Sequence, residues 1–338
     1  MHLIFSEKVD FSTNRVIDWL YYYDQKYEKF IGPSDNKDHF KFNDKTISFT
    51  FGGINKEEKQ SISENANPTK IDSTWFRRPN HNTKSFIEEF KYNGIYPKNI
   101  LNYTLQQRID VFWEYLGYRL ESNNHLGSFK TFELNKPIVM QEAEKLGLTV
   151  PRTLITNSKR ELETFFKSCN HRIITKSLHE IIPEYKHPTE DTNTELSIHQ
   201  YTTLIDNLKD TPKVFAPSLF QECIDKEYEI RTIFLNDSCY SACIFSQLNE
   251  QTKIDMRNRD ANTPTRYIPY QLPETIETSI KQLMNKLNLS YGAIDIMKSI
   301  NGYYYFLEIN PVGQFGDVSM QCNYYLNKKI AEHLINKS

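Results

Sequence analysis

The sequence lacks the short motifs that mark the commonest nucleotide, hydrolase and metalloprotease sites. It contains no G-x-x-x-x-G-K-[ST] phosphate loop, no G-x-G-x-x-G turn, no G-x-S-x-G elbow and no H-E-x-x-H pair. Its nine histidines show no spacing typical of zinc ligands. Walker-type and Rossmann nucleotide binding are therefore excluded as motif interpretations.

Cysteine is scarce, and long apolar runs are missing. The five cysteines among 338 residues form no C-x-x-C pair and are too few for a disulfide framework, so a reducing cytoplasm is expected. No apolar run reaches the length of a membrane span, and the N-terminal stretch carries charges too early for a signal peptide. With 41 Lys and Arg against 43 Asp and Glu, the balance argues against nucleic-acid binding by bulk electrostatics.

The stretch from Tyr291 to Gly316 carries the clearest sign of a functional site. It contains Asn301-Gly302 between two strand-forming runs. This dipeptide is typical of a two-residue hairpin turn, because both residues tolerate positive φ. The pattern therefore predicts two antiparallel strands joined by that turn, with Ile300 paired to Tyr303.

Three oxygen-bearing side chains converge in a hairpin of this register. Counting outward from the turn places Asp295 opposite Glu308, and side-chain alternation puts Asn310 on the same face. Facing carboxylates repel each other unless a cation lies between them, and Mg²⁺ with bound phosphates is the usual occupant. The alternative is a surface hairpin whose acids face water. Leu307 and Ile309 disfavour it, because they give the strand an apolar second face.

Helix and strand patterns along the chain predict an α/β fold with three units. The first unit has a strand, a helix over Thr13–Tyr23 and a closing helix over Thr104–Leu120. Between these helices, Pro79 ends a strand and presents Arg77 and Arg78 together, either as a solvated basic corner or as a binding point. The predicted units are 1–124, 125–217 and 218–338.

The second and third units supply further candidate residues. Asn135 is predicted to cap a helix beginning at Lys136, and Ser158 with Glu161 is predicted to form a capping box for the next helix. The strand that follows this second helix ends at Lys176. The polar segment 180–217 predicts a hairpin or a mobile lid. The third unit is predicted to start with a strand over 218–224, the first of a second sheet.

The order of motifs from Asn135 to Asn323 resembles that of the ATP-grasp ligases. The succession is N-K-P, V-P-R-T, I-I-T-K, F-Q-E-C-I, E-I-R, D-x-R, G-A-I-D and L-E-I-N-P. W-F-R-R-P at Trp75–Pro79 and N-P-V-G-Q-F at Asn310–Phe315 resemble ATP-grasp peptide maturases of the graspetide or microviridin type, especially the grasp-with-spasm branch. The resemblance implies an ATP-grasp fold with an N-terminal pre-ATP-grasp-like α/β domain and the nucleotide between two sheets.

This resemblance also implies which residues bind ATP. They are Lys136 and Lys176 for the α- and β-phosphates, Glu222, Cys223 and Ile224 for the adenine, and Glu229 for the ribose. The chain departs from many small-molecule ATP-grasp ligases after Lys176, where S-L-H-E-I-I-P stands in place of a glycine-rich phosphate loop. A hairpin or lid at 180–201 would then take over that work or bind the leader peptide.

Catalytic and metal-binding roles are implied for a second set of residues. Arg231 and Arg257 would face the transferring phosphoryl group and the acyl phosphate, where negative charge shifts during the reaction. Arg77 and Arg78 would bind an acidic peptide segment, because a guanidinium contacts a carboxylate at two points. The implied Mg²⁺ ligands are Asp295, Glu308 and Asn310.

Enzymes of this type activate an Asp or Glu side chain of a ribosomal precursor peptide as an acyl phosphate. A Thr, Ser or Lys side chain then closes an ω-ester or ω-amide ring. The implied cofactors are ATP and Mg²⁺, and the implied partner is a precursor with a leader and an acidic, Thr-rich core. Two alternatives stay open, a small-molecule or amino-acid ligase and a non-catalytic ATP-binding module, and a homodimer is also left open.

Overall fold

Strands and helices alternate along the described part of the chain. The computed structural model describes residues 1–7, 9–30, 39–42, 47–50, 71–79, 98–121, 124–131, 134–178, 202–209, 211–249, 252–255 and 265–336. The strands are β1 (His2–Phe5), β2 (Tyr27–Phe30), β3 (His39–Phe42), β4 (Ile47–Thr50), β5 (Ser73–Phe76), β6 (Asn124–Leu126), β7 (Thr153–Ser158), β8 (Ile173–Lys176), β9 (Thr203–Ile205), β10 (Val214–Glu222), β11 (Lys226–Leu235), β12 (Ser238–Ile244), β13 (Tyr267–Tyr270), β14 (Tyr291–Ser299) and β15 (Tyr304–Asn310). The helices are α1 (Phe11–Tyr22), α2 (Lys98–Glu121), α3 (Lys136–Lys145), α4 (Lys159–Ser168), α5 (Glu274–Lys286), α6 (Gly316–Gln321) and α7 (Leu326–Asn336), with a 3₁₀ turn at Ser246–Leu248.

The N-terminal sheet is parallel and has the strand order β2-β1-β5-β6. Its central strands β1 and β5 are buried along their whole length, as expected for a parallel sheet covered on both faces. α1 begins after Asp10, whose carboxylate accepts hydrogen bonds from the backbone N–H groups of Ser12 (3.0 Å) and Thr13 (3.3 Å). This cap starts the helix before its predicted first residue, Thr13.

The middle sheet is antiparallel and has the order β7-β10-β8-β9. The predicted caps of the helices before and after β7 are confirmed. Asn135 Oδ1 accepts from the N–H of Ile138 at 3.2 Å at the start of α3, and Ser158 Oγ accepts from the N–H of Glu161 at 3.4 Å at the start of α4. Both caps satisfy a backbone donor that a helix start leaves open, which is why these starts were predictable.

Two predicted unit boundaries fall inside a sheet. β10 pairs with β7 and β8, so the strand predicted over 218–224 belongs to the middle sheet and not to the C-terminal one. The chain changes sheets at 223–225, between β10 and β11. At the other boundary, β6 pairs with β5 and extends the N-terminal sheet. Of the predicted lid segment 180–217, residues 180–201 and 210 lie outside the described residues, and β9 and the start of β10 belong to the remainder.

The C-terminal sheet is antiparallel, with the order β13-β12-β11-β14-β15, and helices cover both of its faces. Ile294 and Phe306 pack on one face against α3 and α5. On the other face, Ala293 belongs to a core that includes Ile330 of α7 and Trp75 of β5. The first and last sheets therefore share one hydrophobic core. None of the described helices combines the length and the apolar character needed to cross a membrane.

The β14–β15 hairpin has a longer loop than predicted. Lys298 pairs with Tyr304, and the N–H of Ser299 donates to the carbonyl of Tyr303 at 2.8 Å, so the loop comprises the three residues 300–302. Gly302 has a φ of 84°, whereas Asn301 has no positive φ. The predicted two-residue turn, with positive φ at both positions, is therefore wrong.

A bulge corrects the register further along the same hairpin. Ile296 pairs with Phe306, yet Asp295 pairs with Glu308, so the ladder shifts by one residue at Leu307. Without this bulge, the longer loop would place Leu307 opposite Asp295. The predicted Asp295–Glu308 pairing is thus confirmed, although two local differences cancel to produce it.

The loop conformation predicts different effects of substitution at Asn301 and Gly302. Gly302→Ala should lower the free energy of unfolding by about 1 kcal/mol, because an L-residue is strained at this φ. No atom lies within 4 Å of the position of the added Cβ, so the effect is conformational. Asn301→Ala should change stability by less than about 0.5 kcal/mol. Urea unfolding measures the stability of both variants. Equal losses of stability would support the two-residue turn instead of the three-residue loop.

Candidate active site

Four charged side chains form a line across the C-terminal sheet. Arg231 of β11 pairs with Asp295 of β14, and Asp295 pairs with Glu308 of β15. Register partners project from the same face of a sheet, so these three side chains are neighbours. Lys136, at the start of α3, contacts Glu308 from outside the sheet. We call Lys136, Glu308, Asp295 and Arg231 the charge row.

The distances in the charge row show that the protein supplies its own counter-charges. Arg231 Nη1 donates to both carboxylate oxygens of Asp295 at 2.9 Å. Lys136 Nζ lies 3.2 Å from Glu308 Oε2. The expectation that a metal ion alone separates the two carboxylates is therefore incomplete. In the protein itself, each carboxylate already has a cationic partner on its outer side.

These cations do not fully compensate the burial of Asp295. The pKa of Asp295 is raised to about 6, because burial and the charges of Glu308 and Glu229 together outweigh the attraction of Arg231. Burial also acts to lower the pKa of Arg231, but Asp295 and Tyr291 outweigh that effect and raise it. A cation bound between the carboxylates would favour the ionised form of Asp295, so cation binding and the charge of Asp295 are coupled.

Asn310, the third predicted metal ligand, is fixed by the turn that follows it. Its Oδ1 accepts a hydrogen bond from the N–H of Val312 at 3.0 Å, and its backbone carbonyl accepts from the N–H of Gly313 at 3.1 Å. A Cβ on Gly313 would lie 2.3 Å from the Cβ of Ala293 and 3.1 Å from Arg231 Nη2. Only glycine allows the turn to pack this closely against the sheet.

The donor set fits Mg²⁺ arriving together with phosphate. Two carboxylates and one amide are hard oxygen ligands, which Mg²⁺ prefers, but they fill only part of an octahedral shell. In the part of the chain that the structure describes, no cluster of three or more His, Cys, Asp or Glu side chains could hold a metal alone. Phosphate oxygens and water would have to complete the shell of a metal at this position.

Several solved structures resemble this chain over almost its whole length. The macrocyclase MdnC of Microcystis aeruginosa MRC, bound with precursor peptide MdnA, has a TM-score of 0.73 and 24% identity, with 100% of both chains covered. A RiPP-associated ATP-grasp ligase of Chryseobacterium gregarium, in complex with ADP and a leader and core peptide, has a TM-score of 0.74 and 24% identity, with coverage of 100% of this chain and 97% of that one. The chain has the ATP-grasp fold.

A third structure with this fold is more distant in sequence. The ATP-grasp ligase PsnB, complexed with a phosphomimetic variant of a minimal precursor, Mg and ADP, has a TM-score of 0.70 and 15% identity, with coverage of 99% of this chain and 98% of that one. No protein-family model and no curated protein matches the sequence. The fold predicted from the order of motifs is thus confirmed by structural similarity.

The connection between the two ATP-grasp sheets carries the residues predicted to hold adenine. The carboxylate of Glu222 accepts from the backbone N–H of Arg152 at 2.9 Å and from its Nε at 2.7 Å. The N–H of Cys223 donates to the carbonyl of Arg172 at 3.2 Å. These contacts fix the end of β10 next to the sheet junction. Adenine binding by this segment stays a prediction.

The remaining predicted nucleotide ligands lie on the strands beside this connection. Glu229 is buried on β11, where Lys226 Nζ forms a short ion pair with it and Ser246 Oγ donates to its Oε1 at 3.0 Å. Lys176 is the half-buried last residue of β8, and Ile224 is half-buried between the sheets. Their contacts with a nucleotide stay predictions.

The three predicted arginines outside the charge row differ in their surroundings. Arg257 lies outside the described residues. The side chain of Arg77 is fully buried, so the expectation that Arg77 and Arg78 are presented together at the surface is wrong. Arg78 is partly exposed and paired with Glu7, and its contact with a peptide stays a prediction.

Sequence reasoning overlooked residues that support the site without belonging to its motifs. Arg152 of the V-P-R-T motif pairs with Glu222, and Lys226 pairs with Glu229 three residues later. Neither ion pair was predicted from the sequence. Asp10 directly precedes α1, and its acidic side chain is a common helix-cap signal. Only Tyr291 carried no signal, because its contact with Gly313 depends on packing between distant segments.

The raised pKa of Asp295 predicts that a neutral amide stabilises the metal-free protein. The pKa is about 6 in the fold against a reference value of 3.8, so the folded state binds more protons between these values. Ionisation of Asp295 therefore destabilises the fold above pH 6, and this cost is lost as the pH falls toward 4. Asp295→Asn should be more stable than the wild type at pH 8 in EDTA, and the difference should shrink toward pH 4.

Glu308→Gln provides the matched control for this experiment. It removes a charge that raises the pKa of Asp295, so the pH dependence of stability should shift to lower pH instead of disappearing. Urea unfolding between pH 4 and 8 measures all three proteins. A lower stability of Asp295→Asn than of the wild type at pH 8 would mean that the ion pair with Arg231 outweighs burial.

Proposed function

We propose that this chain is an ATP-dependent ligase that closes rings in a ribosomal precursor peptide. It would join an Asp or Glu side chain to the hydroxyl of Thr or Ser, or to the amine of Lys. The observation that carries the proposal is the charge row beside Asn310, which brings hard oxygen ligands and two cations together on the C-terminal sheet of an ATP-grasp fold. An ADP-forming activation of a carboxylate uses these groups together.

Lys136 is the residue of the charge row with hydrogen-bond donors left for phosphate, whereas both terminal nitrogens of Arg231 already donate to the protein. The ammonium of Lys136 has three donors, and Glu308 is the ion-pair partner found for it. Arg231 uses Nη1 for Asp295 and Nη2 for the carbonyl of Gln314 at 3.3 Å. Asp295, Glu308 and Asn310 would hold Mg²⁺, which would neutralise phosphate charge when bound. The cations of the row would then stabilise charge that moves toward the attacking carboxylate.

The proposed reaction has two group-transfer steps. An oxygen of the peptide carboxylate attacks the γ-phosphorus of ATP, the bond to the bridging oxygen breaks, and ADP leaves. The peptide hydroxyl then attacks the carbonyl carbon of the acyl phosphate, phosphate leaves with the bonding electrons, and the hydroxyl proton is released. Each ring removes one water from the peptide. The intermediate is needed because a free carboxylate is a poor electrophile.

A peptide substrate is supported by the proteins that share this fold over their full length. MdnC is bound with a precursor peptide, the Chryseobacterium ligase with a leader and core peptide, and PsnB with a minimal precursor variant. We extend this partner class to the present chain, with a leader and an acidic, Thr-rich core. Ester rings are proposed ahead of amide rings on the sequence resemblance.

Mass spectrometry of the precursor tests the proposed reaction. With ATP, Mg²⁺ and a precursor encoded beside its gene, the wild type should form ADP and remove the mass of one water per ring. Mild base should reopen ester rings and leave amide rings intact. Glu308→Gln should lose ATP turnover by a factor of about 100 or more, because it removes a charged metal ligand.

Glu227→Gln is the matched control, since Glu227 is an exposed carboxylate of β11 paired with Lys298. It should retain full activity. Full ATP turnover by Glu308→Gln would refute the assignment of the metal site. An unchanged peptide mass together with ATP-dependent modification of a free amino acid would assign the chain to the small-molecule ligases.

A further inference from the structure

The loop after Asn310 is held through three consecutive carbonyls. Arg77 Nη1 donates to the carbonyl of Val312 in a short hydrogen bond. The hydroxyl of Tyr291 donates to the carbonyl of Gly313 at 2.7 Å, and Arg231 Nη2 donates to that of Gln314 at 3.3 Å. Arg231 and Tyr291 belong to the same sheet as this loop. Arg77 comes from the end of β5 in the N-terminal sheet.

Arg77 is buried, and burying a charged side chain carries a large desolvation cost. Its Nε lies 3.4 Å from Asp10 Oδ2, both side chains are 0% exposed, and its Cζ lies 5.8 Å from the ring centroid of Phe315. Burial lowers the pKa of Arg77. Within the described part of the chain, its Nε and Nη2 have no hydrogen-bond acceptor. Among the described residues, Arg77 therefore donates its side-chain hydrogen bond to the carbonyl of Val312.

Stability alone does not account for an arginine in this position. A buried ion pair recovers its desolvation penalty only with excellent geometry, and apolar replacements of such pairs are often neutral or stabilising. The contact between Arg77 and Asp10 is too long to be a good hydrogen bond. What Arg77 provides and an apolar residue cannot is a fixed donor to the carbonyl of Val312.

Val312 connects this donor to the proposed metal ligand. Its carbonyl accepts from Arg77, and its own N–H donates to Asn310 Oδ1 at 3.0 Å. That hydrogen bond sets the orientation of the Asn310 amide and leaves a second lone pair on Oδ1 for a cation. A shift of the Val312 peptide would rotate the amide away from Asp295 and Glu308.

We propose that Arg77 is a positioning residue for the metal site, acting through Val312 on the amide of Asn310. The inference rests on the proposed function, because it assumes that Asn310 is a metal ligand. It assigns a role in metal binding to a buried residue of the N-terminal sheet. Groups that orient a metal ligand typically change metal affinity by about 10- to 100-fold when they are removed.

The test uses Mn²⁺ with ADP as a spectroscopic probe of the site. Mn²⁺ takes the same kind of oxygen ligands as Mg²⁺, and electron paramagnetic resonance reports its binding without turnover. The variant is Arg77→Met combined with Asp10→Asn, which removes both buried charges and retains a side chain that can cap α1. We expect Mn²⁺ affinity in the presence of ADP to fall about 10-fold or more, with little change in melting temperature.

Two further variants separate positioning from loss of stability. Leu120→Ala creates a cavity in the core of the N-terminal sheet, away from the loop, and should lower the melting temperature without changing Mn²⁺ affinity. Arg77→Lys keeps a charge beside Asp10 but loses the guanidinium fork, and should also weaken Mn²⁺ binding. If the double variant does not fold, Arg77→Lys alone decides the test.

The outcomes distinguish this inference from the function on which it rests. Wild-type Mn²⁺ affinity in the folded Arg77 variants would overturn the positioning role and leave the proposed ligase intact. A loss of affinity in Leu120→Ala equal to that in the Arg77 variants would also overturn it, because instability would then explain the effect. Absence of Mn²⁺ binding by the wild type with ADP would overturn both.

Discussion

Asp295 and Glu308 face each other across two paired strands, and the burial of Asp295 raises its pKa to about 6. A sequence selected for stability alone would replace one of them with an amide. Their position is understandable if a cation binds there, since the neighbouring groups then have related tasks. Arg231 and Lys136 limit the repulsion in the metal-free protein, and the close packing of Gly313 keeps the following loop in place. Strain of this kind is typical of functional sites.

The pairing of the proposed metal ligands Asp295 and Glu308 was predictable from the sequence because both belong to one hairpin. Side-chain alternation and the Asn-Gly signal are local, and they gave the correct pairing even though the loop and the bulge differ from the simple pattern. Lys136 was predicted as a phosphate ligand, but its contact with Glu308 joins a helix to a strand far along the chain. No periodicity in the sequence reports such a contact. The same limit applies to Arg77, whose burial depends on Asp10 and on the loop near Val312.

Helix starts and strand partners differ in how far the sequence determines them. Asn135 and Ser158 cap their helices as predicted, since a cap is formed within a few residues. The strand over 218–224 was recognised as a strand but assigned to the wrong sheet, because its apolar pattern fits any buried strand. Which sheet receives it depends on β7 and β8, which precede it in the chain. Local chemistry thus predicts elements more readily than it predicts their neighbours.

The shared core has a consequence for how the polypeptide becomes structured during synthesis. Ile4 and Trp75 of the first sheet pack in one cluster with Leu326 and Ile330 of α7, and the hydroxyl of Tyr23 donates to Glu332 at 2.9 Å. Val16 and Leu20 of α1 cover part of the inner face of the first sheet, but the rest of that face stays uncovered until α7 has left the ribosome. A nascent chain that pauses earlier exposes an apolar surface, so chaperone binding to this face is expected to precede formation of the active site.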